Sequence, residues 1–449
     1  MRAHIIKGYR TGIFMVFMAS ASPLQALGTG SLVQPSLNSI NRHVESAAER
    51  AVDRAMERRA SQRLETTEEN LQATLAELPE RVSIPAADGS EAFADVRVED
   101  GWRAVERQWL VTVDPGELQY FRQNAITILE QTRLSGLGLT VLRFRVSEAV
   151  DSRKALTEIL PEHLIERLDR NHIYSPQASA AADGHPDPVA GRSGCQIPIK
   201  MGMVDTAINS KHPDFSGASI VQNHFLDDLN LKEGFQKPDS HGTAVASLLV
   251  GKLSGQGDAG LPNATLLNAS VFFGREDLSS GATLMHLVRG LNWLVSQQVR
   301  LINISMAGPD NRLLATAIRQ VSEAGIAMVA AVGNQGPAAP PLYPAAYPGV
   351  VGVTAVGPNN RVYRWANHGE QVDFAARGVD VRVAASGGGY ERKSGTSMAT
   401  PLITTRLACE AARSADPLPD LVRRLADQVQ DLGKAGRDPV FGYGVLVAP

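Results

Sequence analysis

Five nearly unbroken apolar runs set the tightest limit on how this chain can fold. They are IKMGMVDT (199–206), ATLLNASVF (264–272), RLINISMAG (300–308), IAMVAAVGN (326–334) and GVVGVTAVG (349–357). A strand with one wet face alternates apolar and polar residues, whereas a strand covered on both faces reads as a continuous run. Between the runs lie HGTAVASLLVGKL, ATLMHLVRGLNWLVSQQ and NRLLATAIRQVSEAG, whose apolar residues return at helical spacing. Such alternation predicts a doubly wound α/β fold with a mostly parallel sheet over residues 198–449. In sheets of this kind ligands bind at the carboxyl ends of the strands. The composition fits, with 43% hydrophobic residues, 5% aromatic residues and 40 glycines, which suits close helix–sheet packing.

Upstream the pattern differs. RQWLVTVD (107–114), GLTVLRFRV (138–146) and NHIYSPQ (171–177) read as strands. PGELQYFRQNAITILEQTRL (115–134) reads as an amphipathic helix on Leu118, Phe121, Ile126 and Leu129, and SRKALTEIL (152–160) as a second. This β-α-β-α-β order predicts a small α+β, ferredoxin-like domain over 100–177. Residues 178–197 are an aperiodic Ala-, Gly-, Pro- and Ser-containing linker, exposed and easily cut. Residues 27–99 are expected to be a helical, partly disordered spacer, its narrow stripe of Ile40, Val44, Ala47 and Ala51 fitting a solvated helix or a coiled-coil contact.

The chain opens with Arg2, Lys7 and Arg10, then a short apolar core from Ile13 to Met18, then small residues. This is the pattern of a signal peptide over 1–26, with a buried first helix as the alternative. The expected location is periplasmic or secreted, the membrane being met only during export. The net charge of −3 gives no case for a nucleic-acid partner. Cys195 and Cys409 could bridge in an oxidising compartment, and the sequence leaves their pairing open.

Three polar residues stand at predicted element ends: Asp205 in GMVDT, His241 in SHGTAVA and Ser397 in GTSMATP. Each has an ordinary local explanation, as a turn former, a structural histidine or a helix cap. Their order Asp, His, Ser is one of the chain orders of an acyl-transfer triad. VDT, HGT (241–243), GTSMATP (395–401) and AAVGNQG around Asn334 together resemble the signatures of the subtilisin-like serine proteases, over roughly residues 198–449. The resemblance implies that His241 takes the Ser397 proton, that Asp205 holds the imidazole, and that Asn334 and the Ser397 backbone N–H bind the oxyanion. Locally, Asn334 within Gly333–Gly336 also suits a turn.

The resemblance further implies that Ser305, Met306, Ala307 and Gly308 form a substrate-binding edge strand for a peptide or protein substrate. It places Leu342 at the base of the pocket for the residue before the cleaved bond, where Leu would favour small or medium apolar side chains. Ala207 and Arg377 depart from the family pattern beside the motifs. No cofactor is implied. GKLSGQGDAGLPNA (251–264) lacks an Asn-rich calcium loop, and a calcium site elsewhere stays open. Relatives are often made with a small propeptide that assists folding and inhibits the enzyme. Residues 100–177 match that role by pattern, with self-cleavage expected between about 177 and 195. Two other expectations are a narrow-specificity processing or signalling protease and an inactive binding module of the same fold.

Overall fold

The computed structural model describes residues 78–180, 195–252, 260–275 and 279–446, which fall in one compact unit spanning Ala60–Pro449. The signal-peptide expectation for 1–26, the spacer up to 77 and linker residues 181–194 lie outside the described residues.

The described chain opens with a hairpin of β1 (Arg81–Pro85) and β2 (Glu91–Arg97). There follow β3 (Arg103–Thr112), β4 (Ile126–Leu134), β5 (Leu139–Val146), short helices α1 (Arg153–Thr157) and α2 (Glu162–Ile165), and β6 (Leu168–Pro176). Four strands lie in the order β4-β5-β3-β6 with every neighbouring pair antiparallel, a ferredoxin-like arrangement. Trp109, Val111, Phe121, Phe144, Leu156 and Leu164 fill its core.

Two expectations are corrected here. The helix predicted over 115–134 is a 3₁₀ turn at Glu117–Phe121 followed by β4. Ile126-Thr127-Ile128 is β-branched and favours a strand, and Leu129, counted in the helical stripe, is exposed. The helical spacer predicted up to residue 99 is replaced from Arg81 onward by β1 and β2, whose Val82, Ile84 and Phe93 join a buried cluster.

Next come β7 (Ser179–Ala180), β8 (Lys200–Asp205), β9 (Ser219–His224), α3 (Ser240–Leu249), β10 (Thr265–Ser270), β11 (Phe273–Gly274) and β12 (Ser280–Thr283). They are followed by α4 (Leu284–Ser296), β13 (Leu301–Ile304), β14 (Met306–Ala307), α5 (Arg312–Glu323), β15 (Ala327–Ala331) and β16 (Val350–Val356). The chain closes with β17 (Phe374–Arg377), β18 (Val381–Ala384), β19 (Tyr390–Ser394), α6 (Thr396–Arg413) and α7 (Leu418–Ala426). Seven strands form one sheet in the order β17-β16-β15-β13-β8-β10-β9, every neighbouring pair parallel. The five apolar runs are its β8, β10, β13, β15 and β16, so the α/β expectation holds.

Alternate residues of these strands enter different cores. Met201, Met203 and Val329 pack with α3 and α6 on one face. Val204, Ile302, Ile304 and Met328 pack with α4 and α5 on the other. Burial on both faces is why the runs do not alternate. Asn311 starts α5 by accepting from the Leu313 and Leu314 N–H groups.

β6 carries the first domain onto the second. It pairs antiparallel with β12 (Ile173 with Thr283, Tyr174 with Ala282) and then with β14 (Ser175 with Ala307, Pro176 with Met306). β7 pairs antiparallel with β19. Ile84, Phe93 and Ile173 share a core with Leu226, Leu231 and Phe273 across the same junction.

Candidate active site

Asp205 ends β8 in the middle of the parallel sheet, 1% exposed. Its Oδ1 accepts from the Thr206 N–H at 2.7 Å and lies 2.6 Å from His241 Nδ1. A carboxylate only accepts, so this contact places the imidazole proton on Nδ1 and leaves Nε2 as the basic nitrogen. His241 sits in the first turn of α3, and its Nε2 is buried without a hydrogen-bond partner.

Ser397 lies in the first turn of α6, fully buried. Its hydroxyl donates to the Ser305 carbonyl at 2.9 Å and accepts from the Gln177 N–H at 3.0 Å. The hydrogen bond expected between Ser397 and His241 is therefore not formed in this arrangement. Pro401 stands inside α6 and has no N–H to give the Ser397 carbonyl. The Ser305 hydroxyl donates to that carbonyl instead, at 3.3 Å.

The remaining part of the site is backbone from the first domain. The Gln177 carbonyl oxygen accepts from the Ser397 N–H at 3.0 Å and from Asn334 Nδ2 at 2.8 Å. The Asn334 amide cannot turn over, because its Oδ1 is taken by the Thr396 N–H (3.1 Å) and the Thr396 hydroxyl (3.0 Å). Gly395, at φ 144°, precedes the helix, and a Cβ there would lie 2.4 Å from the Gln177 oxygen. Glycine is thus required both by conformation and by the close approach of the carbonyl. The Gln177–Ala178 peptide bond lies in the cleft, with β6 paired before it and β7 paired after it.

Met306 and Ala307 form the edge strand β14, and Gly308 continues it by exchanging backbone hydrogen bonds with Tyr343 at 3.0 Å each. Tyr174 is fully buried over this edge, and its hydroxyl donates to the Pro309 carbonyl at 3.0 Å. Burial holds the Tyr174 phenol well above its ordinary pKa, so it stays a donor. A Cβ on Gly308 would stand 2.4 Å from the Tyr174 ring. Leu342 is fully buried against Gly333, its Cδ1 lying 2.4 Å from where a Gly333 Cβ would be. The residue whose carbonyl meets these two donors is Gln177, a polar residue.

Asp205 and His241 are thus in contact, as are Ser305, Ser397 and Asn334 through shared partners. The sequence named no role for Gln177, Tyr174 or Thr396. Thr396 stands inside the GTS signature and could have been found there, whereas nothing local marks the other two. A carbonyl held by two donors, a serine hydroxyl beside it and a carboxylate-backed imidazole are together the groups of acyl transfer. Cys195 and Cys409 are both buried and are not joined by a disulfide. Among the described residues no group of three or more His, Cys, Asp or Glu is placed to hold a metal ion.

The family model described as Subtilase family matches residues 198–444. The chain is 31% identical over 251 residues to the minor extracellular protease Epr of Bacillus subtilis (strain 168), covering 55% of this chain and 37% of that protein. It is 29% identical over 262 residues to subtilisin E of the same organism, covering 55% and 65%. The chain therefore spans less than two thirds of either relative. Among solved structures, the crystal structure of a lanthipeptide protease aligns with a TM-score of 0.47 at 20% identity, over 56% of this chain and 85% of that one.

Proposed function

The chain belongs to the subtilase family, and from that premise we propose that it is a serine endopeptidase, made as a precursor that cuts itself between Gln177 and Ala178. The observation that carries this is the Gln177 carbonyl oxygen, seated on the Ser397 N–H and Asn334 Nδ2 at 3.0 and 2.8 Å. Those distances suit donors that stabilise an oxyanion. Peptide or protein segments would take the same place as an added strand on β14. The leader-like residues 1–26 support export to the periplasm or beyond.

The reaction begins with the Ser397 hydroxyl turning from the Ser305 carbonyl toward His241 Nε2. Its Oγ then attacks the Gln177 carbonyl carbon while its proton passes to Nε2. Charge that develops on the carbonyl oxygen falls on the two donors, and Asp205 stabilises the imidazolium. The C–N bond to Ala178 breaks, and the imidazolium gives its proton to the departing amine. Water, deprotonated by His241, then hydrolyses the Ser397 ester and frees the Gln177 carboxylate. The first domain is the intramolecular partner and inhibitor, since its strand occupies the cleft.

One observation favours a second reading, an inactive binding module: His241 Nε2 has no hydrogen bond to Ser397. A fluorophosphonate probe separates the two, because it labels only an activated serine. We expect labelling of Ser397, and casein hydrolysis that disappears in Ser397→Ala. Absence of both from a folded, processed protein contradicts the peptidase reading.

A further inference from the structure

The Gln177 side chain is held as specifically as its carbonyl. The residue is 8% exposed. Its Oε1 accepts from the Asn334 backbone N–H at 2.9 Å, and its Nε2 donates to the Ser175 carbonyl at 3.1 Å. Both ends of the amide are thus engaged, one by the cleft and one by the segment's own backbone. The amide can lie only one way round, with its acceptor on an N–H and its donor on a C=O.

We propose that this cleft selects glutamine as the residue whose carbonyl is attacked, and that the Asn334 backbone N–H is the group that reads it. This rests on the self-cleaving reading above and names its substrate class: extended protein segments with glutamine before the cut bond. Leu342 packs against Gly333, the residue next to Asn334.

The competitors fail for separate reasons. Leucine or methionine has similar bulk but leaves the Asn334 N–H without its acceptor. Asparagine is one methylene short of spanning both partners. Lysine or arginine brings a donor against that N–H. Glutamate matches the shape but turns an acceptor toward the Ser175 carbonyl. It also sets a negative charge beside the carbonyl oxygen that becomes negative in the reaction, since Asn334 holds both groups. Losing the neutral hydrogen bond should cost about tenfold in rate, and glutamate about a hundredfold.

The test has two arms. In the first, the full-length chain and its Gln177→Leu, Gln177→Asn and Gln177→Glu variants are followed by intact mass. In the second, wild-type protein is given the peptides Tyr-Ser-Pro-Gln-Ala-Ser, Tyr-Ser-Pro-Leu-Ala-Ser and Tyr-Ser-Pro-Glu-Ala-Ser. We expect cutting after glutamine to lead in whichever arm shows cleavage, with leucine about tenfold slower and glutamate slowest. Cleavage that ranks leucine or glutamate level with glutamine overturns the selection and leaves the peptidase reading intact. Absence of Ser397-dependent cleavage in both arms overturns the selection and the self-cleaving reading together.

Discussion

Asn334 holds the candidate site together at the level of single residues. Its backbone N–H and its side-chain amide both hold Gln177, and Thr396 fixes which way the amide points. If Asn334 Nδ2 is one of two oxyanion donors, as proposed, Asn334→Leu should lower kcat about 10²–10³-fold, with some loss of stability because Thr396 loses the acceptor for its N–H and hydroxyl. Steady-state kinetics beside a thermal melt check this. Gly308→Ala puts a methyl against the buried Tyr174 ring. It should slow the first domain's cleavage by at least about tenfold, seen as precursor persisting on gels. Asp205 and His241, which the structure brings into contact, and Asn334 and Ser397, which it joins through the Gln177 carbonyl, could be singled out in the sequence because each lies in a short motif. Gln177 could not, since its role comes from where two distant segments meet.

Elements meet across the junction of the two domains through buried charge. Asp95 on β2 is fully buried between Arg103 on β3 and Arg275, which follows β11. Arg275 donates to it twice, at 2.9 and 2.7 Å. Asp95→Ala leaves two guanidiniums facing a site without a carboxylate. It should destabilise the Ser397→Ala precursor by about 3–5 kcal/mol, read from the urea midpoint. A second cluster joins Glu130 on β4 and Arg143 on β5 to Arg289 and His286 on α4 and to Asp228. Burial holds His286 below its ordinary pKa despite the neighbouring carboxylate. Burial opposes charge on Asp228 too, but the His286 and Arg289 contacts outweigh it and hold the carboxyl well below its usual range.

The two shifts act in different pH windows. Below about pH 6.5 an unfolded histidine binds a proton that folded His286 refuses, so its contribution is lost as pH falls from there. Asp228's contribution is present above about pH 3.9 and is lost only at lower pH. The precursor's Tm should therefore drop between pH 7.5 and 5.5, and His286→Gln should shrink that drop. An undiminished drop assigns it to other groups. At this scale the parallel strands were legible, because burial on both faces writes itself as a continuous apolar run. The helix predicted at 115–134 was not real, because spacing alone does not reveal that Leu129 faces solvent while Ile126-Thr127-Ile128 prefer a pleat. β1 and β2 were missed because the stripe read before them was carried forward across Arg81.

At the scale of the whole molecule, the proposal rests on one strand passage. The chain leaves the first domain along β6, lays Gln177–Ala178 beside Ser397, and continues along β7 against β19. The described residues thus place a segment of the chain itself in the cleft. The α/β fold with an upstream α+β domain could be read from sequence. The threading could not, because pairing of β6 with β12 and β14 joins residues more than a hundred positions apart. The most direct test is intact mass with N-terminal sequencing of purified wild-type protein beside Ser397→Ala. The account predicts a wild-type fragment beginning at Ala178 and an uncut Gln177–Ala178 bond in Ser397→Ala. Cleavage at that bond in Ser397→Ala to the wild-type extent, or a wild-type protein that keeps the bond whole while hydrolysing other proteins, would contradict it.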